Sequence, residues 1–253
     1  GFINVLSWAN ESLIADPRSL SDIHQGVTLE IFGEGWSMGP LNDAMKADAL
    51  KQQGDIRYAI EWTTLGDYLD WLQGRGISTN VASFVGATTV RIHELGEDDV
   101  TPDADALARM QDLVRDAMAD GALGVGASLI YPPAVFAKTD ELVALASAAA
   151  ESGGGYVAHM RSEADRLPAA LDETIAIGRA TGRHTEVYHL KAAGQRNWPR
   201  MAEAIARINA ARAEGVDIGA NMYAYTAGAT GLTVALPPWM QAGGHDAMIA
   251  RLK

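Results

Sequence analysis

Two short stretches end an apolar run on a histidine and place a cation two positions later. "YVAHMR" supplies His159 and Arg161, and "EVYHLK" supplies His189 and Lys191, thirty residues on. Alternate side chains of a strand project to one face. If the two runs are neighbouring strands in matched register, both imidazoles share a face and can hold one divalent metal. Imidazole suits Zn2+ well. The competing account is two unrelated core histidines, against which the repeated spacing argues. A third ligand is needed. "LEIFGEGWS" puts Glu34 just past another apolar run, and a carboxylate can complete a three-residue zinc site with one open position. The plainer account of Glu34 is a solvated carboxylate at a rim. Glu30, deeper in the same run, is expected in an ion pair.

Other residues carry weaker signals. Tyr131 in "IYPP" can offer a ring and a hydroxyl to a bound acyl group, or can simply sit in a rigid packing corner. Arg161 could hold a substrate carboxylate, or form a salt bridge to Glu163 or a neighbouring strand. Arg91 could pair with a carboxylate. His24, His184 and His245 read as structural or surface residues, and His93 as a rim residue. "SGGGY" precedes a strand, whereas phosphate-binding loops precede a helix. No G-x-S-x-G elbow is present.

The elements that must position these groups alternate along the chain. Strands are expected at 2–7, 27–33, 80–86, 122–128, 155–161, 185–191 and 217–225. Helices are expected at 103–121, 138–153, 165–182 and 197–215. Acidic first turns, Thr139 as an N-cap, Pro199 near a start and glycine stops mark them. Strand–helix units in series imply a parallel sheet with right-handed crossovers. Polar residues at many strand ends favour an α/β, (β/α)8 TIM-type barrel over an open doubly wound sheet. Only about seven strands are counted, so the barrel is expected to be incomplete. The chain, residues 1–253, reads as one barrel domain cut at both ends, and by itself is expected to be inactive. The long Gly- and Pro-rich loop at 226–244 is expected to be functional.

Composition bounds the partners. Twenty basic against 32 acidic residues give a net charge of −12, which repels phosphate backbones, so no nucleic acid is expected. No membrane segment is found, because the longest uncharged apolar run, 142–150, is too short to span a bilayer. The chain has no cysteine, so thiolate ligands and disulfides are excluded. A cytoplasmic location is expected, with export left open. Oligomeric state is not legible.

Four motifs, "HMRSEADRL", "HLKAAG", "SLIYPPAVFAKTDEL" and "NMYAYTAGATGL", resemble the N-acyl-D-amino-acid deacylase (D-aminoacylase) family of the amidohydrolase superfamily. The resemblance runs from residue 1 to 253. It implies a metal-bearing barrel beside a small β-sandwich, and zinc-assisted hydrolysis of small-molecule N-acyl-D-amino acids. It implies that His159 and His189 bind the tighter zinc, and that Lys191 and Tyr223 flank and polarise the scissile carbonyl. It also assigns the catalytic aspartate to an eighth strand, outside this chain. Three departures stand out. Leu6 and Trp8 occupy the places of a His-x-His pair and cannot bind metal. Glu34 is the only nearby substitute for a bridging cysteine. Ala87 stands where several members have histidine. One zinc, on Glu34, His159 and His189, is therefore expected. Two other readings stay open: a catalytically silent barrel that binds a ligand or partner, and a hydrolase of dipeptides or cyclic amides.

Overall fold

The computed structural model describes residues 1–253. Its strands are β1 (Phe2–Asn4), β2 (Val27–Phe32), β3 (Asn80–Ser83), β4 (Val85–Gly86), β5 (Gly124–Ser128), β6 (Gly155–His159), β7 (Thr185–Val187) and β8 (Ile218–Ala220). All neighbours are parallel, in the orders β1-β2-β3 and β4-β5-β6-β7-β8. The two sheets are one arc. Only Phe84 separates β3 from β4, and its N–H donates to Phe32 O at 2.9 Å, while Leu123 N–H donates to Ser83 O at 2.9 Å. The chain 80–86 is thus a single strand that passes from β2 to β5. This gives the seven expected strand positions of a (β/α)8-type barrel. The arc does not close, since β1 and β8 do not pair with each other.

Helices follow the later strands as the periodicity predicts, over Ala104–Ala119, Thr139–Ala150, Leu167–Thr181 and Arg200–Ala213. The strands end sooner than the apolar runs predict: β7 stops at Val187, four residues short of 191, and β8 at Ala220. Thr139 is not an N-cap. Lys138 holds that place without a side-chain cap, and the Thr139 hydroxyl instead donates to Glu173 Oε1 at 2.7 Å.

Apolar residues of the arc and its helices form two cores. The larger packs Phe32, Val85, Val125, Tyr156, Leu142 and Leu145. The smaller packs Val187 and Ile218 against Leu171, Ile175 and Ile208. Two buried acids are built into this frame. Glu30 forms no ion pair: its oxygens accept the hydroxyls of Ser7 (2.7 Å), Ser19 (2.9 Å) and Thr79 (3.0 Å). Three donors keep a fully buried carboxylate satisfied. Glu141 pairs with Arg91 at 2.7 Å, tying the helix Ala87–Leu95 to Thr139–Ala150. No helix is long and apolar enough to cross a membrane.

Candidate metal centre

Glu34 enters the mouth of the arc between two glycines with left-handed φ, Gly33 at +98° and Gly35 at +79°. A Cβ on Gly33 would lie 2.2 Å from Phe84 O, and one on Gly35 would lie 2.6 Å from Ser128 Cβ. Only glycine allows both the turn and the approach. Ser128, the last residue of β5, fixes the bend by donating its hydroxyl to Glu34 O at 2.9 Å. Glu34, His159 and His189 are each more than nine-tenths buried.

His159 ends β6 and pairs with Ser128 in the β5–β6 register. His189 arrives differently. The β6–β7 register sets Ala158 opposite Val187, so regular continuation would match His159 with Tyr188. The expected matched register is therefore off by one residue. The chain corrects for this by leaving the strand: His189 has φ +38°, and its N–H donates to Asn221 Oδ1 at 2.8 Å. A left-handed residue with a Cβ costs about 1–2 kcal/mol, and such strain clusters at functional sites. The turn brings the His189 ring to 4.5 Å from that of His159, edge on.

The three side chains converge. Glu34 Oε1 lies 2.8 Å from His189 Nε2 and 3.2 Å from His159 Nδ1. One ligand atom from each lies within 4.8 Å of the others. Donors about 2.0–2.1 Å from a shared tetrahedral zinc stand roughly 3.3 Å apart, so small shifts would seat an ion. A carboxylate and two imidazoles form a known catalytic zinc donor set. Burial alone would raise the Glu34 carboxyl, but hydrogen bonds from both imidazoles outweigh it and hold it at about 2. For His189 burial lowers and the two carboxylates Glu163 and Glu34 raise, and the metal-free ring is pushed up to about 9, so a bound cation would displace its Nε2 proton.

The site opens into a cleft of about 970 Å³. Lys191, Tyr223 and Tyr131 line it, with Leu6, Trp8 and Trp36. Lys191 Nζ sits 5.5 Å over the Tyr223 ring and 2.5 Å from Glu163 Oε1. Tyr131 meets the His159 ring edge on at 5.3 Å, and its hydroxyl lies 2.8 Å from Thr230 Oγ1. Thr230 belongs to the Gly-rich loop expected at 226–244, several of whose residues also line the cleft.

Arg161 is placed elsewhere. Its guanidinium donates to Glu173 (3.0 Å), Val135 O (2.9 Å) and Ala137 O (2.8 Å), so it is committed to structure and does not line the cleft. Its carboxylate partner is Glu173, twelve residues on, and not Glu163. Sequence reasoning passed over two residues of the site. Glu163 meets His189 Nδ1 at 2.9 Å. Trp8 Nε1–H donates to Glu34 Oε2 at 2.8 Å. The clue for Glu163 was its place four residues after His159, at the start of a polar loop. His93, His184 and His245 lie outside the cleft lining.

No family model matches the chain. D-aminoacylase of Alcaligenes xylosoxydans xylosoxydans is 34% identical over 234 residues, covering 91% of this chain and 47% of that protein. N-acyl-D-glutamate deacylase of the same organism is 32% identical, covering 91% and 47%. A D-aminoacylase crystal structure described as defining a novel subset of amidohydrolases superposes with a TM-score of 0.79 at 34% identity, over 90% of this chain and 48% of that one. N-acyl-D-glutamate deacylase from Bordetella bronchiseptica, complexed with zinc and a phosphonate mimic of the tetrahedral intermediate, gives 0.79 at 32% identity, over 89% and 47%. The chain spans about half the length of these relatives. Over that half, the chain is homologous to D-aminoacylase and to the N-acyl-D-glutamate deacylases.

Proposed function

We propose that the protein containing this chain is a zinc-dependent hydrolase of the amide bond of N-acyl-D-amino acids. One observation carries the reading: Glu34, His159 and His189 offer ligand atoms within 4.8 Å of one another at the mouth of the arc. The relatives' substrates and the zinc of the Bordetella deacylase support the same choice. Bound zinc would lower the pKa of a coordinated water to near neutrality.

The chain's own residues supply the rest. Lys191 and Tyr223 stand beside His189 at the cleft wall, where an ammonium and a phenol can stabilise an oxyanion. Tyr131, Trp8 and Trp36 give apolar surface for an acyl chain. Proton transfer from water to the leaving amine falls, by the resemblance, to an aspartate of the barrel's eighth strand position, which is distinct from the seven described above.

Leu6 and Trp8 favour examining a second reading, a silent barrel that binds a ligand or partner. Metal analysis and a substrate screen on the natural protein separate the two. The expected result is one equivalent of zinc, release of free D-amino acid from N-acetyl-D-substrates, and loss of both in His189→Ala. Protein without stoichiometric zinc, and with activity untouched in His189→Ala, would refute the hydrolase reading. Turnover of cyclic amides or dipeptides in place of acylated D-amino acids would move the substrate class.

A further inference from the structure

Both imidazoles at the centre turn one nitrogen toward Glu34 and the other toward a second carboxylate. His189 presents Nε2 to Glu34 and Nδ1 to Glu163 Oε1, at 2.9 Å. His159 presents Nδ1 to Glu34, and its Nε2 lies 3.8 Å from the same Glu163 oxygen. That Nε2 is buried and has no hydrogen-bond partner. Lys191 Nζ reaches this oxygen too, at 2.5 Å, and sits 2.8 Å from His189 Nδ1. One carboxylate oxygen therefore faces the rear of both rings and the ammonium.

From this geometry we infer that Glu163 is a positioning residue. It fixes the ring orientation and tautomer of both zinc-binding histidines, and so sets the affinity of the metal site. The inference rests on the proposed zinc reading. A neutral imidazole has one donor and one acceptor nitrogen, and the hydrogen bond at one selects the other for the metal. A proton on His189 Nδ1 would face the Glu163 oxygen 2.9 Å away, which leaves Nε2 free to ligate. Lys191, also within reach of Nδ1, can only donate and favours the opposite tautomer. Glu163 has a second effect: by holding the ammonium, it restrains Lys191 from taking over Nδ1. For His159 the same carboxylate, 3.8 Å from Nε2, can accept that proton after a small shift once Nδ1 is a ligand.

Zinc affinity of the natural protein, measured by competition with a chromophoric chelator, tests this. Glu163→Gln and Glu163→Ala should each bind zinc about 10–100-fold more weakly. Lys191→Met should bind within about threefold of the parent. Cobalt-substituted Glu163→Gln should also show an altered visible spectrum, which a merely structural role would not produce. Gln is close in size to Glu, so it keeps the test informative if the Ala variant does not fold. Parental zinc affinity and cobalt spectrum in folded Glu163→Gln would overturn the inference. Absence of zinc from the parent itself would instead sink the function proposed above.

Discussion

The Trp8 indole N–H donates to Glu34 Oε2 at 2.8 Å, while Glu34 Oε1 faces both imidazoles. One oxygen of the carboxylate is held from the first strand's side, and the other is left for the histidines. Trp8 thus orients a ligand without being one, because an indole nitrogen is a donor only. Leu6, which also lines the cleft there, offers nothing to a cation. The first-strand segment supplies direction to the site in place of metal ligands.

The expected metal stoichiometry is therefore one. Dialysis against excess zinc followed by elemental analysis should give a single tight equivalent per chain. The double variant Leu6→His with Trp8→His places two imidazoles on the same segment and should raise the count toward two. A parental protein that binds two equivalents with similar affinity would contradict this account of Trp8.

Arg161 joins the end of β6 to the helix Leu167–Thr181 and to the loop after β5, through Glu173, Val135 O and Ala137 O. Hydrogen bonds to charged groups contribute about 1.5–3 kcal/mol each, and removing one partner strands the others. Arg161→Met should lower stability by about 2–3 kcal/mol in denaturant titration. KM for acylated D-amino acids should stay within about twofold, because the guanidinium does not line the cleft. A tenfold rise in KM with unchanged stability would return Arg161 to the substrate.

What the sequence disclosed follows from how far each relationship reaches along the chain. The strands stand out because each is a short apolar run bounded by glycine or charge. Glu34 could be singled out because it lies just past an apolar run that stops near Gly33. The pairing of His159 with His189 was legible in repeat spacing, although the assumed matched register was not what joins them. The left-handed backbone at His189 leaves no mark in the sequence, since it is imposed on a residue with a Cβ. Trp8 is a non-ligand by its chemistry, and its value lies in a contact to a residue 26 positions away. The partner of Arg161, neither a substrate nor Glu163, was not legible, because Glu173 sits on a helix whose packing is a tertiary fact.

Glu97 carries a pH dependence unrelated to the centre. Burial raises its carboxyl above the ordinary value of 4.5, and the charges of Asp48 and Asp98 add to the rise, against a smaller opposing effect of His245. An acid whose pKa is higher in the folded state favours folding below its unfolded value. That contribution is lost as pH rises through the folded value. Glu97→Gln should therefore melt about 1–3 °C higher than the parent at pH 7 and show no such gain at pH 4. Equal melting shifts at both pH values would show that the ionised carboxylate is not the source.

Tyr223 and Lys191 share the cleft wall, and their roles separate by a single atom. Lys191 Nζ lies 5.5 Å over the Tyr223 ring, a contact that survives removal of the hydroxyl. Tyr223→Phe therefore keeps the ammonium in place and deletes only the phenolic donor. If that donor stabilises the oxyanion, kcat should fall about 10²–10³-fold while KM and zinc content hold. Lys191→Met should lower kcat at least as far, with zinc content again retained, because Glu163 still faces His189 Nδ1 at 2.9 Å. The informative contrast is Tyr223→Phe against Tyr223→Ala. Should Phe retain kcat within threefold and Ala lose it, the ring matters as a platform for Lys191, and the ammonium is the oxyanion's partner on this wall.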